Sequence, residues 1–360
     1  MTNPAPGRSS SVLGGLALGA ATVVFCLLAG EVATRLWDPD VSLWHWPNSL
    51  VEASEPAPGE TQFAYDSILG WAPVAGSSGK MLGKFLTFTD EGTRAQNREA
   101  PRAIGPSIMT FGDSMTEGYA VGDNETWPAE LERITGRPVL NAGVRGYGLD
   151  QMVLRAERLV PEFRPATVVL AFIADDISRT ALSVRDSRGK PYFVPDAQGG
   201  LALHNVPVPG VNFPPPVVLA RGLLGHSHLF DLIVTRLGLR AYWSGREIGT
   251  GVDPFVVSCR LMDRLASLAK REGAAALVVA LPEQGVFFDA KAAAGQREAL
   301  TRVLDCAARA GLDTLDTTPA FAQENVGRDI DAYYTMLHFT FRGAALAARE
   351  IAATLGGAPK

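Results

Sequence analysis

From residue 106 onward, short apolar runs alternate with longer segments in which apolar residues recur every three or four positions. Short apolar runs are typical of buried strands, and the longer segments are typical of amphipathic helices. The pattern predicts strands at 107–111, 138–141, 166–173, 274–281 and 313–316, and helices at 127–135, 149–159, 252–271, 296–310 and 342–355. Strands separated by helices indicate a mostly parallel sheet with helices on both faces.

The N-terminal region has a different pattern, because residues 12–30 carry no charged side chain. A helix of this length covers about 28 Å, close to the roughly 30 Å hydrocarbon core of a bilayer. A cleaved signal peptide would have a shorter apolar region with a small-residue cleavage site after it, whereas this run passes straight into 31–37, which favours an uncleaved anchor over a cleaved signal. The sequence therefore predicts an uncleaved transmembrane anchor at 12–30, preceded by a tail at 1–11.

The charges on either side of this anchor predict its orientation. Arg8 precedes the anchor, whereas Glu31, Asp38 and Asp40 follow it closely. Positive charge tends to stay on the cytoplasmic side, so the N-terminus is expected in the cytoplasm and the rest of the chain outside it. In a Gram-negative host this is a single-pass inner-membrane protein whose large domain lies on the periplasmic side.

The remainder divides into a connecting segment and a large domain. Residues 31–105 are predicted to be a linker and edge segment, with short strands at 63–71 and 84–89. The large domain, 106–360, is interrupted at about 178–251 by a stretch that is too long for an ordinary connection. This insertion is interpreted either as a lid over the sheet edge or as a packing element.

The first predicted strand of the large domain ends in Gly112, Asp113 and Ser114. Glycine allows a sharp turn, Asp113 and Ser114 are good helix N-cap residues, and Glu117 follows Ser114 as in a capping box. Polar loops also follow two later strands, at 141–148 and 175–176. Because the carboxyl ends of parallel strands meet at one edge, a ligand site is expected there.

Charge and residue composition limit the kinds of ligand and catalytic group that the chain can have. The net charge of −5 gives no reason to expect nucleic-acid binding. Cys26, Cys259 and Cys306 are far apart and predict neither a disulfide framework nor a metal site. No metal and no organic cofactor is expected. With five histidines in the chain, few residues could serve as a catalytic base.

Four sequence blocks, taken in order, resemble the SGNH hydrolases, the GDSL-type branch of serine esterases and lipases. The blocks are 112–118, 141–146, 175–176 and 335–338, and the resemblance covers about residues 106 to 355. It implies an α/β fold, namely a three-layer α/β/α sandwich with a mostly parallel, flavodoxin-like sheet, here preceded by the transmembrane helix. It also implies ester chemistry.

The resemblance assigns roles to residues of this chain. Ser114 would be the nucleophile, and His338 the base that removes its proton, which a serine hydroxyl needs in order to react. The oxyanion would be held by the backbone N–H groups of Ser114 and Gly146 and by the side chain at position 175.

Two positions depart from the family pattern. Asp175 replaces an Asn, and an ionised carboxylate cannot donate a hydrogen bond. At about 4–5 Å such an anion would oppose the oxyanion by roughly 3–4 kcal/mol. Asp175 is therefore expected to be protonated, to point away, or to impair catalysis.

Thr335 stands where the family has the acid that orients the histidine. Asp331, Asp329 or Asp316 could replace that acid; without one, the site would be a Ser–His dyad.

These features favour a membrane-anchored serine esterase acting on acyl esters of a cell-envelope glycan or lipid, with short acyl chains. The same serine could instead transfer acyl groups to an exported polysaccharide, or the domain could be a non-catalytic binding module. The expected partners are a small-molecule or glycan ester and, through the N-terminal helix, the membrane.

Overall fold

The computed structural model describes residues 9–37, 43–44, 46, 62–96, 106–210, 215–324 and 326–357. Residues 1–8 of the predicted tail lie outside the described residues. So do residues 38–42, 45, 47–61 and 97–105 of the predicted linker, and 211–214 of the predicted insertion. The chain forms two compact units, one made of Met1–Glu55 and Asn212–Arg246 and the other of Pro56–Val211 and Glu247–Lys360.

The elements of the chain are numbered in order. The strands are β1 Phe63–Asp66, β2 Gly70–Pro73, β3 Ser78–Met81, β4 Lys84–Thr87, β5 Ile108–Phe111, β6 Val139–Asn141, β7 Thr167–Phe172, β8 Leu182–Arg185, β9 Arg188–Gly189, β10 Tyr192–Pro195, β11 Leu201–His204, β12 Glu247–Gly249, β13 Ala275–Ala280, β14 Asp313–Asp316, β15 Tyr334–Thr335 and β16 His338–Phe339. The helices are α1 Ser9–Trp37, α2 Ser114–Glu117, α3 Trp127–Thr135, α4 Leu149–Phe163, α5 Ala174–Arg179, α6 Pro215–Leu224, α7 His228–Arg236, α8 Arg240–Ser244, α9 Pro254–Glu272, α10 Ala290–Arg309, α11 Thr318–Gln323, α12 Ile330–Tyr333 and α13 Phe341–Gly357.

The larger unit is built on a five-stranded sheet with the order β6-β5-β7-β13-β14. All of its strand pairs are parallel. In chain order this is the 2-1-3-4-5 arrangement of flavodoxin-like folds, in which ligands bind where the strand order reverses. That reversal lies at β5, the strand that precedes Ser114.

Helices cover both faces of this sheet, and β7 shows why. Val168, Leu170 and Phe172 point into the core beneath α4, α9 and α10. Val169 and Ala171 point into the core beneath α3 and α13. A strand buried on both faces needs apolar residues at every position, which explains its continuous apolar run. The predicted fold class is confirmed.

Two predicted helix boundaries are wrong. Helix α4 does not stop before Pro161 but continues to Phe163. Pro161 lies in the last turn, where it removes a single N–H bond, and the helix ends at Arg164 in the left-handed conformation. Helix α10 begins at Ala290 rather than at 296, because the Asp289 carboxylate accepts hydrogen bonds from the first free N–H groups.

The expectation that the cysteines form no disulfide is also wrong. Cys259 in α9 and Cys306 in α10 form a disulfide across two packed helices. Their separation of 47 residues gives no sign of this, because helix packing brings them together. Cys26 is free and exposed.

Smaller sheets surround the central one. Strands β1–β2 and β3–β4 form hairpins, β10–β11 forms another, and β12, β8 and β9 form an antiparallel sheet. The predicted insertion, 178–251, is therefore divided between the two units. Its strands belong to the larger unit, and α6 to α8 belong with α1 to the smaller unit.

Helix α1 dominates the smaller unit. Its segment Gly14–Trp37 is long and apolar enough to cross a membrane by length and composition, and an 18-residue stretch within it has a mean hydropathy of 2.1.

Candidate active site

Ser114 begins the short helix α2 directly after the central strand β5. The helix is capped by Asp113, whose Oδ1 accepts a hydrogen bond from the backbone N–H of Met115 at 2.8 Å. The expected capping box between Ser114 and Glu117 does not form. Asp113 takes the capping role, and its Oδ2 lies 3.3 Å from the hydroxyl of Ser114 at the carboxyl edge of the sheet.

The loop after β6 packs tightly against this turn. A Cβ atom on Gly143 would lie 2.5 Å from the backbone nitrogen of Glu117, so only glycine fits. Asn141 joins the two segments: its Nδ2 donates to the carbonyl of Thr116 at 2.8 Å, and its Oδ1 accepts from the N–H of Gly143 at 3.0 Å. The blocks 112–118 and 141–146 thus form one structure.

His338 reaches Ser114 from the other end of the domain. Its Nε2 lies 2.9 Å from Ser114 Oγ, although the two residues are 224 positions apart. The ring stacks on Tyr119, with a centroid distance of 4.6 Å. Among the other described histidines, His204 stacks on Tyr192, and His226 and His228 lie in the smaller unit.

A backbone carbonyl orients the imidazole of His338. Nδ1 lies 2.7 Å from the carbonyl oxygen of Met336. Because a carbonyl only accepts, Nδ1 carries the proton, which leaves Nε2 unprotonated and facing the hydroxyl of Ser114. The residues of the turn between β15 and β16, Met336 and Leu337, both have positive φ, as the tightest hairpin turns require.

No described carboxylate forms a hydrogen bond or ion pair with His338. Thr335 pairs with His338 across the β15–β16 hairpin, and its side chain is exposed. Asp331 lies in α12 and Asp316 ends β14. An acid is expected to contact Nδ1 of His338, but the carbonyl of Met336 occupies that position.

Asp175 is engaged in an ion pair. Its Oδ2 accepts from Arg179 at 2.7 and 3.0 Å, and its Oδ1 accepts from Ser178 Oγ at 3.0 Å. Burial alone would raise the pKa of Asp175, but the charges of Arg179 and Arg185 and these hydrogen bonds hold it below its usual value. The lowered pKa of Asp175 therefore does not support the expectation that this residue is protonated.

Arg179 is the centre of a larger network that the sequence analysis missed. Its guanidinium also contacts Asp176 Oδ1 at 2.5 Å, Asp113 Oδ2 at 3.5 Å and the carbonyl of Tyr147 at 2.9 Å. Burial and the nearby Asp113 raise the pKa of Asp176 well above its usual value, although Arg179 opposes this. The i, i+4 spacing of Asp175 and Arg179 was a signal available in the sequence.

The resemblance assigns the oxyanion to two backbone N–H groups. Within the described part of the chain, the N–H groups of Ser114 and Gly146 donate to no protein acceptor. Gly146 has a φ of +75°, a conformation that favours glycine. Unlike these two groups, the side chain of Asp175 has no donor to offer.

Glu283 is a further titratable group at this edge, three residues after β13 ends. Burial raises its pKa from 4.5 to about 7, the charges of Asp175 and Asp113 add to this effect, and Arg179 opposes it. A carboxyl group that titrates near neutrality beside a cleft is typical of functional sites. No sequence motif marked it.

The buried Arg94 and the partly buried Arg145 stabilise the active edge. Arg94 donates to the carbonyls of Glu117 and Val121 at 2.6 and 2.7 Å, which fixes the end of α2. Arg145 pairs with the buried carboxylate of Glu117, and its backbone N–H donates to the same carboxylate at 2.7 Å. Glu117 therefore holds the loop after β6 onto α2.

The described residues contain no group of three or more His, Cys, Asp or Glu side chains arranged to hold a metal ion.

The fold and this constellation define an α/β protein with a serine and a histidine at the switch point of its sheet. The sequence model of the GDSL-like lipase/acylhydrolase family matches residues 110–346, and the chain belongs to that family. The resemblance noted from the four sequence blocks is thereby confirmed. No curated protein matches the chain in a sequence comparison.

Solved structures with a similar fold include several lipolytic proteins. TesA is 16% identical, with 69% of this chain and 97% of that chain covered and a TM-score of 0.40. A G-D-S-L family protein from Veillonella parvula is 14% identical, with 70% and 98% covered and a TM-score of 0.40. A lipase/acylhydrolase from Enterococcus faecalis is 15% identical, with 71% and 97% covered and a TM-score of 0.39.

Proposed function

We propose that this protein is a membrane-anchored serine esterase that hydrolyses short-chain acyl esters of a cell-envelope glycan or lipid. Membership of the lipase/acylhydrolase family supports ester hydrolysis in general. The observation that carries the proposed mechanism is the 2.9 Å contact between Ser114 Oγ and His338 Nε2. Such a contact is what a serine nucleophile and its base require.

In this mechanism Ser114 Oγ attacks the acyl carbon while its proton passes to Nε2 of His338. The N–H groups of Ser114 and Gly146 stabilise the oxyanion that forms. When the intermediate collapses, His338 returns the proton to the leaving alcohol and an acyl-Ser114 ester remains. Water, deprotonated by His338, then releases the acid and restores the serine.

His338 works here without an orienting carboxylate. The Met336 carbonyl keeps Nδ1 protonated, which sets the tautomer, and its dipole partly offsets the charge of the imidazolium. This is weaker electrostatic support than a carboxylate supplies, so we propose a Ser–His dyad in place of the triad.

We further propose that α1 anchors the protein in the cell inner membrane, with the catalytic domain on the periplasmic side. The apolar segment of α1 supports the anchor. The disulfide between Cys259 and Cys306 supports the compartment, because disulfides persist in oxidising environments outside the cytosol. The division into tail, anchor, linker and hydrolase domain remains a prediction.

The test is labelling of the full chain, purified in detergent, with a fluorophosphonate probe. Ser114→Ala and His338→Ala should each lower the labelling rate by roughly 10³-fold or more, because nucleophile and base act as a unit. Ser267→Ala is the matched control, since this exposed serine in α9 bonds only to its own helix.

The outcome separates the three functions. Labelling at Ser114 that depends on His338, followed by acid release from acetyl esters, supports the esterase. Acyl transfer to added oligosaccharide that outpaces acid release would favour the acyltransferase. A folded protein with no labelling at Ser114 would refute both enzymes in favour of the binding module.

A further inference from the structure

The helices α6, α7 and α8 of the smaller unit, here called the helical insert (215–244), leave an unusual amount of apolar surface uncovered. No residue of α6 is buried, and Val234 alone is buried in α7. The large apolar side chains most exposed there include Val218, Leu219, Leu223, Leu237 and Leu239. So many exposed apolar side chains on one short segment favour a site of interaction over a solvated face.

The helical insert is attached at the end of the apolar run of α1. Glu31, the first charged residue after that run, accepts hydrogen bonds from the backbone N–H groups of His228 and Leu229, both at 3.0 Å. Ser227 Oγ donates to the same carboxylate at 2.8 Å. The carboxylate of α1 therefore caps the N-terminus of α7.

Arg35 completes this attachment. Its Nε donates to Glu31 at 2.7 Å, and its Nη2 donates to the carbonyl of His226 at 2.9 Å. Gly30 packs directly on Leu229, because a Cβ atom at position 30 would lie 2.9 Å from Leu229 Cδ2. The insert is thus fixed at the level where charged side chains begin, which is where a spanning helix leaves the hydrocarbon core.

Three tryptophans, at positions 37, 44 and 46, lie at the end of α1 or shortly after it in the sequence. Trp37 ends α1 and is 89% exposed, and Trp44 is 92% exposed. The ring of Trp46 lies 3.7 Å from the guanidinium carbon of Arg35. Tryptophan is enriched at membrane–water interfaces, because one end of its ring is apolar and the other end can donate a hydrogen bond.

The charge of the helical insert indicates what kind of surface it would contact. The insert contains three arginines, at 221, 236 and 240, and one acidic residue, Asp231, which pairs with Arg240 at 3.3 Å, so its three positive charges and one negative charge give a net charge of +2 in a chain whose net charge is −5. A cationic segment with an exposed apolar surface matches helices that lie in the interface of anionic membranes.

We propose that the helical insert rests on the membrane, with α6 and the 237–242 segment embedded among the headgroups of anionic phospholipids beside the exit of α1. The proposal rests on the proposed anchoring of α1. It adds a second, peripheral contact that holds the smaller unit at the bilayer surface.

The experiment uses full-length protein in vesicles of phosphatidylcholine and phosphatidylglycerol. In a Cys26→Ala background, Leu223→Cys is labelled with an environment-sensitive fluorophore; Cys259 and Cys306 do not react because they form the disulfide. Leu219→Cys is the second reporter on α6, and the exposed Ser267→Cys on α9 is the control. A fourth sample labels Cys26 itself to report on the anchor.

Lipids that carry a nitroxide near the headgroup should quench the labels at 219 and 223 at least about threefold more than the label at 267, with blue-shifted emission. Replacing phosphatidylglycerol by phosphatidylcholine should reduce this quenching. The proposal is overturned if the labels on α6 behave like the control while Cys26 is quenched from the hydrocarbon core, a result that leaves the anchor standing.

Two other outcomes also overturn it. If Cys26 too is unquenched, the proposed anchor fails with it. If the α6 labels are blue-shifted but unquenched by the lipids, a second copy of the chain covers the surface instead.

Discussion

Replacing Arg179 by glutamine is expected to be among the most destabilising single changes at the active edge. The side chain of Arg179 is 7% exposed, and its guanidinium pairs with Asp175, Asp176 and Asp113. The side chains of Asp113 and Asp176 have no exposed surface at all. Glutamine can donate to one of these carboxylates but carries no charge to balance them.

The magnitude follows from this burial. Removing one partner of a buried ion pair costs roughly 3–5 kcal/mol, because the other charge is left buried and uncompensated. Domains of this kind are stable by only about 5–15 kcal/mol in total, so the loss is a large part of the whole. Arg133→Gln is the matched control: Arg133 also pairs with a carboxylate, that of Glu130, but it is 72% exposed, so its replacement should change the stability little.

The loss should depend on pH in a defined direction. The pKa of Asp176 is already raised by burial, and removing Arg179 raises it further. The folded variant then binds more protons than the folded wild type, so the stability difference between them grows as pH rises and shrinks as pH falls. Urea unfolding between about pH 5 and 8, followed by circular dichroism, measures both quantities.

A loss below about 1 kcal/mol at neutral pH would show that the network contributes little. A large loss that did not change with pH would show that it arises from packing alone. In either case the electrostatic account of Arg179 would be refuted.

Three further predictions concern single carboxylates. Glu283→Gln should remove one contribution to the pH dependence of unfolding. Because the folded-state pKa of about 7 exceeds the ordinary 4.5, the contribution of Glu283 to stability is greatest below about pH 4.5 and is lost as pH rises through 7. Glutamine removes this loss, which urea titrations of both proteins at several pH values would measure. Asp175→Asn should change the fluorophosphonate labelling rate by less than about tenfold, since Arg179 already balances the charge that, unpaired, would cost roughly 3–4 kcal/mol; a gain of several hundredfold would contradict this. Asp331→Asn should leave the same rate nearly unchanged, whereas loss of the acid of a working triad costs roughly 10⁴-fold.

Much of the fold could be predicted from the sequence because burial leaves a pattern. Strand β7 is apolar at every position since both of its faces are covered, and the alternation with amphipathic helices indicates the parallel sheet. The errors lie where a local contact decides the outcome. Asp289 starts α10 early, and the disulfide between Cys259 and Cys306 depends on helix packing that spacing does not reveal.

For the site, the sequence pointed to Ser114 and His338, and the structure brings their side chains together. It could not show which group holds Nδ1 of His338, because that group is the backbone carbonyl of Met336, which any residue type could supply. The sequence also could not show that Arg179 pairs with Asp175, because this pairing depends on where α5 places the side chain of Arg179.

The two departures from the family pattern have opposite electrostatic effects, and this bears on whether the site is active. Asp175 adds a negative charge near the site, but Arg179 supplies the matching positive charge. Thr335 removes a negative charge beside His338, and the neutral carbonyl of Met336 keeps the tautomer without restoring that charge. The charge of Asp175 is therefore balanced by a cation that Asp113 and Asp176 share, whereas the loss of the acid beside His338 is compensated only in geometry. A protein that had lost catalysis would have no need of either compensation, and the serine, the base and its tautomer are the three elements that proton transfer requires.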